Sequence, residues 1–210
     1  QVVPLTINYI NPTRYGIWLT LSSIVAWLSY FDLGFAHGFR NRFAEAVAKG
    51  DMQLAREYVS TTYVVLSLLF SSVFLIAIVV NHFVDWSAIL NVDAAYSSEL
   101  NIVFGILAFF FCLNIVASIF TTMLTANQKP ALASLIQTLG QVFGFICIYI
   151  LTKTVPGNLD VLAFAFSGVP CFLLIIISIG MFLSGRYRHL SPSFHFVHFS
   201  LTKKIVGLGG

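Results

Sequence analysis

Apolar and polar positions alternate in long blocks along this chain. Five apolar runs, residues 16–35, 59–80, 101–123, 132–152 and 160–183, are each long enough to form a membrane-spanning helix. A bilayer core of roughly 30 Å takes about 20 helical residues at ~1.5 Å of rise each. A closed barrel would need short alternating strands instead, and that pattern is absent. "VVPLTINYI" at the start reads as the tail of another span, and "KKIVGLGG" at the end as the beginning of one. The pattern predicts an all-α, polytopic transmembrane bundle. It has five complete spans plus partial first and seventh helices, forms a single membrane domain over 1–210, and is a fragment of a longer chain.

Composition narrows the class further. Hydrophobic residues make up 58% of the chain and charged residues 9%, with a mean hydropathy of +0.90. Soluble domains carry about a quarter charged residues, so a water-soluble enzyme or nucleic-acid-binding domain is excluded. The three cysteines, Cys112, Cys147 and Cys171, all fall inside apolar runs. An odd, unclustered set argues against a disulfide framework and a cysteine metal site, which leaves packing residues.

Charge placement gives an orientation. Arg40, Arg42, Lys49, Arg56, Lys129, Arg186, Arg188, Lys203 and Lys204 fall on one side of the spans, and only Arg14 and Lys153 on the other. The positive-inside rule puts the first group in the cytoplasm. Residues 36–58 then form a cytoplasmic amphipathic connection, and 184–204 a cytoplasmic connection towards a second bundle. Trp18 and Trp86, near opposite span ends, fit interfacial anchors.

At about 100° per residue, polar and small residues collect on one face of several spans. They are Ser134, Gln137, Gly140, Gln141 and Gly144 in the fourth, and Asn114, Ser118, Thr121 and Thr125 in the third. Tyr63, Ser67 and Ser71 align in the second, and Thr20, Ser23, Trp27 and Gly34 in the first. Two readings stay open. Small residues let helices approach, as in Gly140-x-x-x-Gly144. A hydrated lumen is the other reading, and the amides of Gln137 and Gln141, one turn apart, favour it. Pro170, deep in the last span, removes a backbone donor and predicts a bend there.

The segment "FDLGFAHGFRNRFAEAVAKGD" (31–51) gathers polarity beside the first span. On a helix over 39–49, Phe39, Phe43, Ala46 and Val47 share one face, and Arg42, Glu45 and Lys49 share the opposite one. Glu45 lies three residues from Arg42 and four from Lys49, so both pairings are favourable. Arg40 borders the apolar stripe with no acidic residue one turn away. It can snorkel to lipid head groups, or its planar fork can grip a phosphate or pyrophosphate. Asp32, near membrane depth, is a candidate for pairing with an arginine or carrying a proton. Gly34 and Gly38 permit close backbone packing or a helix start. His195-x-x-His198 is too sparse for a metal site, and the basic aromatic segment around it suits the membrane interface.

The run "RYGIWLTLSSIVAWLSYFDLGFAHGFRNRFAEAVAKGD…AREYVSTTY" resembles the polysaccharide flippase family of bacterial O-antigen and capsule export. That family belongs to a superfamily that includes multidrug and toxin extrusion proteins. The resemblance rests on Tyr15-Gly16-x-Trp18, Trp27, Phe31-Asp32-Leu33-Gly34, Gly38-x-Arg40-Asn41, Glu45-Ala46 and Tyr58-Val59-Ser60-Thr61. Phe35, Ala36 and His37 depart from its usual smaller or uncharged residues. The resemblance implies two six-helix bundles alternating access to a cationic lumen, this chain holding most of the first. The implied substrate is an undecaprenyl-pyrophosphate-linked oligosaccharide, moved between leaflets of the bacterial inner membrane by an H+ or Na+ gradient. Arg40, Asn41, Asn114, Gln137 and Gln141 are then the expected substrate-binding residues. Asp32, Gly34, Gly38 and Pro170 are the expected coupling or gating residues. The implied partners are the lipid-linked oligosaccharide, membrane lipids, and a polysaccharide polymerase with other assembly proteins. No cofactor, metal or nucleic acid is called for.

Two alternatives make different demands. A cation-coupled multidrug exporter calls for acidic residues deep within spans, whereas Asp32 and Asp160 sit near span ends. A membrane-embedded glycan-assembly transferase calls for a loop constellation of base and nucleophile. His82, Asp85, Asp93 and Glu99 in the outer loop 81–100 do not form a recognisable one.

Overall fold

Helix boundaries fall where capping and turn residues interrupt the apolar runs. The computed structural model describes residues 12–27, 35–185 and 187–206. Helix α1 (Pro12–Trp27) is followed by α2 (Phe35–Ala48), α3 (Met52–Phe83) and the short α4 (Trp86–Leu90). Next come α5 (Ser97–Ala126), α6 (Pro130–Thr154), α7 (Leu159–Leu183) and a last short helix, α8 (Thr202–Val206). Gly50 turns the chain between α2 and α3 at φ +75°, a conformation other residues resist. Asp51 then accepts the Leu54 N–H at 2.9 Å and opens α3. Asp85 and Asn158 cap α4 and α7 in the same way. Pro130 begins α6, where its missing N–H has no helical partner to lose.

Among the described residues, four helices are long and apolar enough to cross a bilayer, which makes this a multi-pass membrane protein. They are α3, α5 with its leading turn, α6 and α7, and they contain the expected spans 59–80, 101–123, 132–152 and 160–183. For the expected span 16–35, the described helix is α1, at 16 residues, and 28–34 lie outside the described residues. All regular structure among the described residues is helical.

Helix α5 is the hub, packed against α1, α3, α6 and α7. Its two halves serve two cores. At the arginine-rich end Phe120, Met123 and Leu124 meet Phe39 and Phe43 of α2, Tyr58 of α3 and Tyr187. At the opposite end Leu100, Val103 and Leu107 meet Trp18, Trp86 and Leu162. The expectation of interfacial anchors at Trp18 and Trp86 is therefore corrected. Trp18 is 5% exposed and packs edge-on against Phe166, with centroids 5.0 Å apart. Trp86 stacks on Phe104, and its indole N–H donates to Asn81 Oδ1 at 2.6 Å. With that polar tip satisfied inside, the ring has no need of the head-group layer.

Helix α7 runs unbroken through Pro170, which seats on α6. A Cβ on Gly140 would come within 3.2 Å of Pro170 Cα, and one on Gly144 within 3.5 Å of Pro170 Cγ. The paired small residues thus serve close packing, with the proline ring as the opposing surface.

Candidate functional site

The polar faces of α5 and α6 border two cavities that follow each other along the bundle. The first, of about 520 Å³, lies among α1, α5, α6 and α7 and is walled by Trp18, Ser22, Phe110, Asn114, Gln141 and Pro170, among others. The second, of about 340 Å³, opens at the arginine-rich end between α2, α5 and α6, with Arg40, Thr121, Thr125, Ser134 and Gln137 among its walls. Gln137 and Gln141, one turn apart on α6, belong one to each. Of the expected substrate-binding residues, the structure brings Arg40 and Gln137 together in one cavity, and Asn114 and Gln141 in the other.

The chemistry of this face divides by residue type. The threonine hydroxyls are committed to their own helix: Thr121 donates to the Ser118 carbonyl at 2.8 Å, and Thr125 to the Thr121 carbonyl at 2.9 Å. The side-chain amides of Asn114, Gln137 and Gln141 make no hydrogen bond among the described residues. Ser22 Oγ is buried and also lacks a partner among them. Pro170 supplies no N–H, so the Phe166 carbonyl one turn earlier loses its helical donor beside the same cavity.

Arg40 is set apart from its neighbours by its partners. Arg42 Nη1 meets Glu45 Oε2 at 2.9 Å, and Lys49 Nζ meets Glu45 Oε1 at 2.7 Å, the pairing the sequence predicts. The hydrogen bond from Lys49, joined by that from Arg42, holds the Glu45 carboxyl below its ordinary value. Arg40 is exposed and makes no ion pair among the described residues. Its helix is fixed because Phe39, Phe43 and Ala46 are buried, at about 2–3 kcal/mol for each fully buried ring. Those residues form the apolar face expected for α2. An arginine on a rigid support, sharing its cavity with the Gln137 amide and with no carboxylate among the described residues, can hold an anion bidentately.

The remaining candidates divide. Asn41 is exposed, but one position on it is turned roughly 100° from Arg40. Gly38 is buried against the Ile205 backbone of α8, so close approach explains it. Asp32 and Gly34 lie outside the described residues, as does the Trp27 side chain. In α1 the expected polar stripe faces outward. Thr20 and Ser23 are exposed, and their hydroxyls bond back to the Gly16 and Leu19 carbonyls. Ser22 lines the cavity instead, and sequence reasoning missed it. The signal was Trp18-x-x-x-Ser22, two residues one turn apart on a face that looked merely apolar. His37, noted only as a departure from the flippase pattern, stands in the wall of the Arg40 cavity.

His198 faces Glu57 at 3.8 Å, and no cluster of three or more metal-ligating side chains occurs among the described residues. No protein-family model, curated protein or solved structure matches the chain.

Proposed function

We propose that this chain forms most of the first bundle of a flippase for undecaprenyl-pyrophosphate-linked oligosaccharide. It moves that lipid from the cytoplasmic to the periplasmic leaflet of the bacterial inner membrane by alternating access, in polysaccharide biosynthesis. The observation that carries the reading is Arg40. This cation lines a cavity with Gln137, which no carboxylate among the described residues borders, while Arg42 and Lys49 are spent on Glu45.

In this reading Arg40 grips the pyrophosphate as the lipid enters. The free amides of Gln137, Asn114 and Gln141 offer successive hydrogen-bond partners to a polyhydroxyl chain further along. Each amide can donate and accept, which suits sugar hydroxyls. The uncommitted Ser22 hydroxyl and Phe166 carbonyl extend the same supply. A multidrug exporter draws no comparable support, because no carboxylate borders either cavity among the described residues. A transferase draws none either, because His37 makes no hydrogen bond to the serine and threonine hydroxyls of its cavity among those residues.

The test uses the full-length protein in its native cell. Arg40→Ala is expected to abolish surface polysaccharide with protein level and membrane insertion unchanged, and Arg42→Ala to be much milder. Deleting the gene is expected to leave the lipid-linked oligosaccharide in the cytoplasmic leaflet. Normal polysaccharide output from the Arg40→Ala strain sinks the pyrophosphate role, and an incomplete glycan in the deletion strain points to an assembly enzyme.

A further inference from the structure

Beyond the cavities, the segment after α7 is built as a strap with two chemically distinct sides. Tyr187, Leu190, Leu201 and Ile205 are each at most 7% exposed and join the core. Three bonds pin the strap to the first turns of α3. Arg56 Nε donates to the Ser191 carbonyl at 2.9 Å, and Ser60 Oγ accepts the Ser193 N–H at 3.1 Å. Thr61 Oγ1 accepts the His198 N–H at 3.0 Å. The Arg56 guanidinium also lies over the Phe196 ring at 4.2 Å. The outward side is therefore fixed in orientation, and it presents Phe194 at 88% and Phe199 at 62% exposure.

The charge on that side is one-signed. Arg188, His189, His195, Lys203 and Lys204 are exposed, and no acidic residue follows Asp160 in the sequence. The acidic groups that neighbouring elements bring to this end are already engaged. Glu45 holds Arg42 and Lys49, Asp51 caps α3, and Glu57 faces His198. The strap's depth follows from α3, whose 32 residues extend ~48 Å against a hydrocarbon core of roughly 30 Å. Shared between both ends, the overhang is about six residues each, so Arg56, Ser60 and Thr61 fall near the boundary between head groups and acyl chains.

We propose that the strap, residues 187–206, is a docking surface for anionic phospholipid of the adjoining leaflet. Phe194 and Phe199 enter the acyl boundary, and Arg188, Lys203 and Lys204 hold the phosphate groups. Exposed rings flanked by cations at that depth fit a charged lipid surface, and neither neutral lipid nor bulk water suits both. This surface is separate from the Arg40 cavity and does not depend on the transport reading.

The experiment retains lipid on the purified protein from mixed micelles of phosphatidylglycerol and phosphatidylcholine, counted by native mass spectrometry. The wild type is expected to hold phosphatidylglycerol preferentially, with a preference that weakens as salt rises. Lys203→Ala with Lys204→Ala should cut the preference by about thirtyfold, near fivefold per lysine, whereas the two Lys→Arg changes should preserve it. Phe194→Ser with Phe199→Ser should reduce total retained lipid. Equal retention of both lipids by the wild type overturns the proposal. So does a dimer that the phenylalanine changes dissolve while lipid retention stays constant.

Discussion

At the end where α1 begins, polar side chains close the structure on itself. Arg14 reaches Glu99 at 3.2 Å and the Gly157 carbonyl at 3.3 Å, tying α1 to α5 and to the α6–α7 turn. Asn81 links the Trp86 indole to the Asn101 carbonyl, and Asp85, Asp93 and Asn158 cap helices. At the opposite end eight described lysines and arginines outnumber Glu45, Asp51 and Glu57, and exposed cations are left over. The first end uses polarity as architecture, whereas the second carries a surplus available to ligands. A residue's charge therefore says less about function than whether a neighbour has already claimed it.

The sharpest way to break this contrast is at Gly38. A side chain there collides with the Ile205 backbone, which cannot yield, so Gly38→Val should free α8 and the strap at a cost of about 3 kcal/mol. Limited proteolysis should then cut within 187–206, and a strap that stays resistant means the docking is misread. Asn81→Ala probes the opposite end with a smaller effect. It strands a buried indole N–H and leaves the Asn101 carbonyl without this donor, a loss of about 2 kcal/mol, checked by the thermal midpoint and the near-ultraviolet tryptophan signal.

Glu45 should give the smallest change. Its carboxyl is held below the ordinary 4.5 by the Lys49 and Arg42 bonds. Its contribution is therefore full above that value and fades as pH falls through the lower, folded-state value. A shallow decline in thermal midpoint is expected in that acid window, and Glu45→Gln should flatten it. An unchanged slope would mean that the exposed pairs carry nothing.

Four of the long helices were legible because lipid imposes length and apolarity on any spanning segment, whatever it packs against. The charge pairs of α2 were legible too, since helical spacing alone brings Glu45 to Arg42 and Lys49. That Gln137, Gln141 and Asn114 line cavities was legible because amides stand out in an apolar run. Ser22 and the buried Trp18 were not. Which side of α1 faces the bundle depends on Phe166 and Asn114, more than 90 positions away, and local spacing carries no record of them. Trp86 misled for a different reason: its partner Asn81, five positions earlier, fell within the stretch 81–100 that the sequence pattern assigns to an outer loop. The strap's inner bonds join 187–201 to residues some 135 positions earlier.

The seating of Pro170 between Gly140 and Gly144 has a mechanical consequence. The proline ring is a key in a slot, with the two glycines as its floor. A contact this close leaves little slack between the helices, so a shift of α7 at Pro170 would be felt by α6, the helix that carries Gln137 and Gln141.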